Sequence, residues 1–269
     1  MGACAKGAQY VLALNRKNVM SKKHALIALL SLLLCVGGCV GRINTQNLVK
    51  ASANLYQSAS ITDAQLISMS VQLRNKEDRQ YQVAPPNSPY TKRLNKLMAR
   101  LQSVNGIPLT YKVYMTKAIN ANAAANGSVR VFSGLMDIMT DDELRFVIGH
   151  EIGHVANGHV KKRLRTAYLT AAARSAAGIY SPAGTITNSA LGSIAEAFIN
   201  SQYSQSQELE ADAYGLKFLR DNGYNLQAAV SCMGKLKGSG GFFSTHPSSK
   251  ERIQKLQKQI NEFSSKKHF

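Results

Sequence analysis

The sequence predicts an α+β fold, mostly helical, with one small β-sheet. Three observations carry this. Apolar residues recur at three- and four-residue spacing over much of the chain, as on amphipathic helices. Only two segments, residues 111–116 and 128–133, alternate apolar and polar residues as strands do. No internal repeat is present.

In chain order, Thr62 is a candidate N-cap for a helix over "TDAQLISMSVQLRNKEDRQYQ", and "APPNSP" at 84–89 ends it. Leu94, Leu97, Met98, Leu101 and Val104 then share one helical face. "NGIP" at 105–108 is a turn. "YKVYMT" and "SVRVFS" are the two strands. Thr140 with Glu143 three residues later forms a capping box, which opens a helix through "DELRFVIGHEIGHVA". An Ala-rich helix is expected over 160–177. Residues 178–193, rich in Gly, Ser and Thr, read as a loop and a candidate lid. Helices resume over 194–222 and 226–235, and residues 237–247 are loop. The last helix starts at Pro247, a favourable first helical position.

The composition is ordinary for a globular chain of 269 residues, with 45% hydrophobic and 18% charged residues. A sizeable core is therefore expected. Location is read from the N-terminal part. Lys22 and Lys23 precede an apolar run over 25–36, too short to span a membrane comfortably, and Gly37 and Gly38 precede Cys39. This resembles a bacterial lipoprotein signal over 20–38, with Cys39 lipidated, a tether over 39–60 and the folded domain over 61–269. Residues 1–19 read as an upstream extension, with Met20 as the expected start. The formal net charge is +18. Without the five cations before Cys39, 28 basic residues face 15 acidic ones, leaving +13. Outside the cytoplasm that excess favours a solvated basic face or an anionic membrane surface, and no nucleic-acid partner is expected. Of the four cysteines only Cys232 remains unassigned, so no internal disulfide is expected.

The chemistry lies in "GHEIGHVANGHV" at 149–160. His150 and His154 are four residues apart and share a helix face, within reach of one metal ion. Glu151 sits about 100° around the helix, where it can meet the open side of the ion without binding it. H-E-x-x-H supplies two imidazole ligands and a carboxylate that takes a proton from the attacking water, an arrangement suited to zinc. His159 is a tempting third ligand. It is displaced by one residue from the spacing of H-E-x-x-H-x-x-G-x-x-H, and a continued helix would turn it about 140° off the ligand face. It reads as a polar surface residue or one that stands behind a metal ligand. The third ligand is expected from "SQELEADAYG" at 206–215, where Glu208 and Asp212 share a face and Glu210 points elsewhere. One carboxylate would bind zinc while the other hydrogen-bonds a ligand imidazole.

Together, His150-Glu151-Ile152-Gly153-His154 and Glu208-Leu209-Glu210-Ala211-Asp212 resemble the peptidase family that includes HtpX, Oma-type proteases and CAAX prenyl endopeptidases. The blocks "TYKVYM", "ANGSVRVFSGLMD", "GHEIGHVANGHVKK" and "QELEAD" are most similar to its small periplasmic lipoprotein members of the LoiP (YggG) type. The resemblance implies a mostly helical, gluzincin-like zincin and one Zn2+ held by His150, His154 and Glu208. It implies Glu151 as general base and Asp212 behind the ligands. His246 and Arg252 of "THPSSKER" would lie near the zinc and stabilise an oxyanion. The strand carrying Val129, Arg130 and Val131 would pair with extended substrate as an edge strand, and Asn120 would contact the substrate backbone. The sequence departs from the family pattern at Gln205, Asn122 and Ser128.

The expected activity is zinc endopeptidase action on unfolded or misfolded envelope proteins, a quality-control role, by a lipoprotein of the periplasm anchored in the inner leaflet of the outer membrane. The outer-membrane protein assembly machinery is a further candidate partner. A non-catalytic chaperone on the same fold, or a zinc hydrolase of cell-wall links, remain alternatives. Glu151 speaks against the first and a peptide-pairing strand against the second.

Overall fold

The computed structural model describes residues 61–174, 186–236, 241–247 and 250–265. The expected extension, signal and tether lie outside these residues, as does the first half of the candidate lid. The folded part is mostly helical with two small sheets. Among the described residues no helix is long and apolar enough to cross a membrane.

Helix α1 (Asp63–Gln80) starts where Thr62 accepts a hydrogen bond from Gln65 N, with the Gln65 side chain accepting one from Thr62 N in return. Helix α2 (Pro89–Leu97) follows Ser88 as N-cap. It is shorter than its apolar spacing suggests. Val104 leaves the helix for a two-residue hairpin, β1 (Ser103–Val104) against β2 (Ile107–Pro108). Asn105 (φ 49°) and Gly106 (φ 77°) turn this hairpin, and the left-handed conformation at both positions explains the Asn-Gly pair. Strands β3 (Thr110–Tyr114), β4 (Ala121–Ala123) and β5 (Ser128–Phe132) form the second sheet, in the order β3-β5-β4. β3 runs parallel to β5 and β4 antiparallel.

That order corrects one expectation. Val129, Arg130 and Val131 lie on the central strand, whose two edges are already paired. No further strand can join there. The edges are β3, which residues 82–84 partly cover, and β4, which is too short and too rich in Ala and Asn to signal a strand. The alternation in "SVRVF" does not mark a solvated face, because all five residues are buried. Its polar positions meet α1. Arg130 Nε and Nη2 donate to Asp78 at 2.7 and 2.9 Å, and Ser128 Oγ accepts from Arg74 Nε at 3.2 Å.

After the short α3 (Ser133–Ile138) come α4 (Asp141–Ala156), α5 (His159–Arg174), α6 (Asn188–Ile199), α7 (Gln205–Asp221), α8 (Ala228–Leu236), a 3-10 turn (Phe242–Ser244) and α9 (Lys250–Ser265). Thr140 and Glu143 cap α4 as predicted. The Ser/Thr-rich stretch read as loop turns helical at Asn188, where Thr187 accepts from Ala190 N. Small polar residues here serve as a cap rather than a breaker.

α4 packs along α7. The helices come close because glycines face each other: a Cβ on Gly153 would lie 2.9 Å from Tyr214 Cβ and 3.0 Å from Ala211 Cα. A Cβ on Gly149 would lie 3.1 Å from Gly215 Cα. Gly153→Ala is therefore expected to push the helices apart and to cost about 1–3 kcal/mol of stability, read by urea unfolding. Gly158→Ala also suffers backbone strain (φ 69°) but meets nothing within 4 Å, so it disturbs no helix pair.

Candidate metal centre

The close approach of α4 and α7 places two histidines against one carboxylate. His150 Nε2 and His154 Nε2 are 3.1 Å apart. Glu208, from the first turn of α7, puts Oε1 at 3.4 Å from His154 Nε2 and Oε2 at 3.6 Å from His150 Nε2. His246 Nδ1 lies 3.2 Å from His150 Nε2 and 3.1 Å from Glu208 Oε1. These four donors form one buried cluster. A tetrahedron of ligands at about 2.0–2.2 Å from zinc has edges of about 3.3–3.6 Å, so the spacing fits such an ion. The chemistry fits as well. Burial pushes the His154 imidazole well below its ordinary pKa, which leaves it neutral with a lone pair.

Around the cluster, every donor is held from behind. Asp212 Oδ1 accepts from His150 Nδ1 at 2.9 Å, which directs the Nε2 lone pair toward the cluster. Arg252 donates through Nε and Nη2 to the two oxygens of Asp212, both at 2.7 Å, and Nη1 lies 2.6 Å from Glu208 Oε2. Burial alone would raise the pKa of both carboxyls. The hydrogen bonds from Arg252 to Asp212, and the close imidazoles of His154 and His246 beside Glu208, outweigh it and hold both groups ionised. The ring of Tyr203 stacks on His154, centroids 3.7 Å apart, and Phe242 stacks on His246 at 4.5 Å. Glu151 Oε1 is buried without a hydrogen bond, 3.2 Å from His246 Nε2.

A cleft of about 600 Å³ opens on this centre, lined among others by Asn120, Asn122, Ala123, Glu151, Tyr203 and His246. β4 forms one wall. Residues 88–260 match the profile of Peptidase family M48. The chain belongs to that family. It is similar to Metalloprotease LoiP of Escherichia coli (strain K12), with 41% identity over 250 residues, covering 89% of this chain and 98% of that protein. Metalloprotease YcaL of the same strain is 38% identical over 250 residues, covering 90% of this chain and 98% of that protein. The Beta-barrel assembly-enhancing protease of Yersinia pestis is 27% identical over 190 residues, covering 62% of this chain and 37% of that protein.

For this M48 metallopeptidase, the structure brings His150, His154, Glu208, Asp212, Glu151, His246 and Arg252 into one centre, with Asn120 on the wall of its cleft. Val129, Arg130 and Val131 stay outside the cleft lining, and Arg130 is tied to Asp78. His246 lies within the donor cluster itself rather than beside it. Arg252 faces the carboxylates, not the cleft. His159 takes the second of the two places expected for it, buried behind His154, and Glu210 reaches it. Tyr203 carries no spacing signal at all. It is positioned by a stack that forms only when the segment between α6 and α7 folds over α4.

Proposed function

We propose that this chain is a zinc endopeptidase that hydrolyses extended, unfolded polypeptide. The observation that carries the reading is the buried cluster of His150, His154 and Glu208 with Glu151 beside it, at the wall of a cleft whose other side is an open strand edge. Zinc, held by His150, His154 and Glu208, would supply Lewis acidity and lower the pKa of a coordinated water to about 7. A hydrolytic site keeps one position free for water and substrate. Of the four donors only His246 comes from a segment outside the helices, so it is the one that stands apart from the resident set and faces the reacting carbonyl. Glu151 takes the proton from the attacking water and returns it to the leaving amine. Its carboxylate is suited to this because, among the described residues, nothing else donates to Oε1 with good geometry. Arg252 positions Glu208 and Asp212 and does not touch substrate.

β4 offers the substrate a backbone partner. Phe132 N donates to Asn120 O and Ala124 N to Ser128 O, so the even-numbered residues face β5. In an antiparallel ladder the groups of Ala121 and Ala123 then point to the free edge. The Asn120 side chain accepts from Ala121 N at 2.9 Å. That leaves Ala123 N–H and the carbonyls of Ala121 and Ala123 to bind an added strand. Such binding selects extended chains, which folded proteins rarely expose. Ala123→Pro removes an edge donor without breaking the ladder. It is expected to raise KM for an unfolded protein by about tenfold, the loss of one hydrogen bond of about 1.4 kcal/mol, with little change in Tm.

The lipoprotein-like signal at Cys39 supports a place for this activity at the periplasmic face of the outer membrane, with misfolded envelope proteins as substrates. The similarity to a protease named for β-barrel assembly is consistent with a partner in the outer-membrane assembly machinery. The test is zinc content of the purified protein together with cleavage of an unfolded and a folded protein, before and after chelation. One zinc per chain and chelator-sensitive cleavage of the unfolded protein alone are expected. Zinc-loaded protein that cuts neither would move the chaperone reading ahead.

A further inference from the structure

Two carboxylates of α7 stand behind the two histidine ligands, one directly and one through a third histidine. Asp212 touches His150. On the other side, His154 Nδ1 lies 3.1 Å from His159 Nδ1, and His159 Nε2 lies 3.2 Å from Glu210 Oε2. The three groups span from the buried ligand to the surface, since the Glu210 side chain is 58% exposed and His159 is buried. The contact between two imidazole nitrogens holds one proton, which has two possible owners.

We propose that Glu210, acting through His159, sets the tautomer of His154 and so directs its Nε2 lone pair to the metal. The charge of Glu210 requires a proton on the nearest nitrogen, His159 Nε2. A neutral His159 then has its lone pair on Nδ1. That lone pair accepts a hydrogen bond from His154 Nδ1–H, which leaves the lone pair of His154 on Nε2, 3.1 Å from His150 Nε2 and 3.4 Å from Glu208 Oε1. The opposite arrangement would put a lone pair of His159 against the Glu210 carboxylate and turn a proton of His154 into the donor cluster. Both are repulsive. His159 and Glu210 are thus positioning residues for a ligand, and α7 supplies one ligand and the orienting carboxylates of the other two. The Tyr203 ring holds the plane of His154 but cannot choose between its nitrogens.

This role rests on the zinc-peptidase reading, so its test includes a measurement that needs no metal. In metal-free protein labelled with 15N-histidine, long-range 1H–15N spectra are expected to show His154 protonated at Nδ1. His159→Phe, which keeps the ring volume and removes the acceptor, is expected to give a mixture of tautomers. His159→Asn places an oxygen near the position of Nδ1 and is expected to restore the wild-type tautomer. Glu210→Gln, whose amide can donate or accept, is expected to give an intermediate mixture. Zinc titrations against a competing chelator should follow the same order, with His159→Phe weakening affinity by about 10–100-fold. A His159→Phe protein with the wild-type melting temperature, tautomer and zinc affinity would overturn the proposal. A wild type that takes up no zinc would refute the peptidase reading, while the tautomer spectra would still decide this one.

Discussion

Glu151→Gln is expected to abolish measurable peptide cleavage, lowering kcat by about 10²–10⁴-fold while zinc stays bound. The carboxamide is nearly isosteric, and the ligand atoms are on other residues. Glu151 Oε1 contacts the His246 ring at 3.2 Å and no resident ligand, so no ligand is released. The loss should appear in kcat with KM nearly unchanged, because Glu151 acts in the transition state and not in binding the substrate backbone. Single-turnover cleavage of an unfolded protein, with zinc measured on the same sample, is the check. A variant that keeps zinc and also keeps cleaving would mean that another group takes the proton. Among the described residues the titratable side chain at ion-pair distance from Glu151 is His246, so the same assay on His246→Ala would identify it.

The readable and unreadable parts of this centre differ for a physical reason. Residues joined by helical period can be placed from the sequence alone. His150, Glu151 and His154 share a helix, as do Glu208 and Asp212, and their relative directions follow from the turn angle. Residues whose role depends on one element closing over another cannot be placed that way. Helical period turns His159 off the ligand face, and it is off that face, but Gly158 breaks the helix before it, at φ 69°. The break starts α5 in a direction that turns the ring back toward His154. Helical period turns Glu210 away from Glu208 and Asp212, and only the approach of α7 to the start of α5 gives it His159 as a partner. The edge strand escapes the sequence for a related cause. Alternation locates a strand but says nothing of its place in the sheet, and the edge at the cleft is a three-residue segment with no strand former in it. The Asn-Gly pair at 105–106 signals its turn, yet the helical stripe before it runs too far because Val104 fits both a helix face and a hairpin.

Arg252→Leu is expected to destabilise the metal-free protein by about 3–5 kcal/mol, the cost of leaving buried charge unpaired. For a domain of this size that corresponds to a fall in Tm on the order of 10 °C. The guanidinium binds Asp212 with two hydrogen bonds and lies 2.6 Å from Glu208 Oε2, and all three side chains are almost fully buried. Removing it leaves two buried carboxylates without the guanidinium they share. Their pKa values, held low in the wild type, would rise. The stability they contribute is present above the pKa of an unfolded carboxyl and is lost as pH falls through the folded value. In the variant that loss therefore starts at higher pH. Zinc changes the size of the effect. A divalent cation among His150, His154 and Glu208 would neutralise part of the charge that Arg252 balances, so the zinc-loaded variant should lose less stability than the metal-free one. Thermal unfolding of wild type and variant, each with zinc and with chelator, gives the comparison. An equal drop in both states would mean that Arg252 acts through packing of its long side chain and not through its charge. A larger drop without metal would show that Arg252 and the ion balance the same pair of carboxylates.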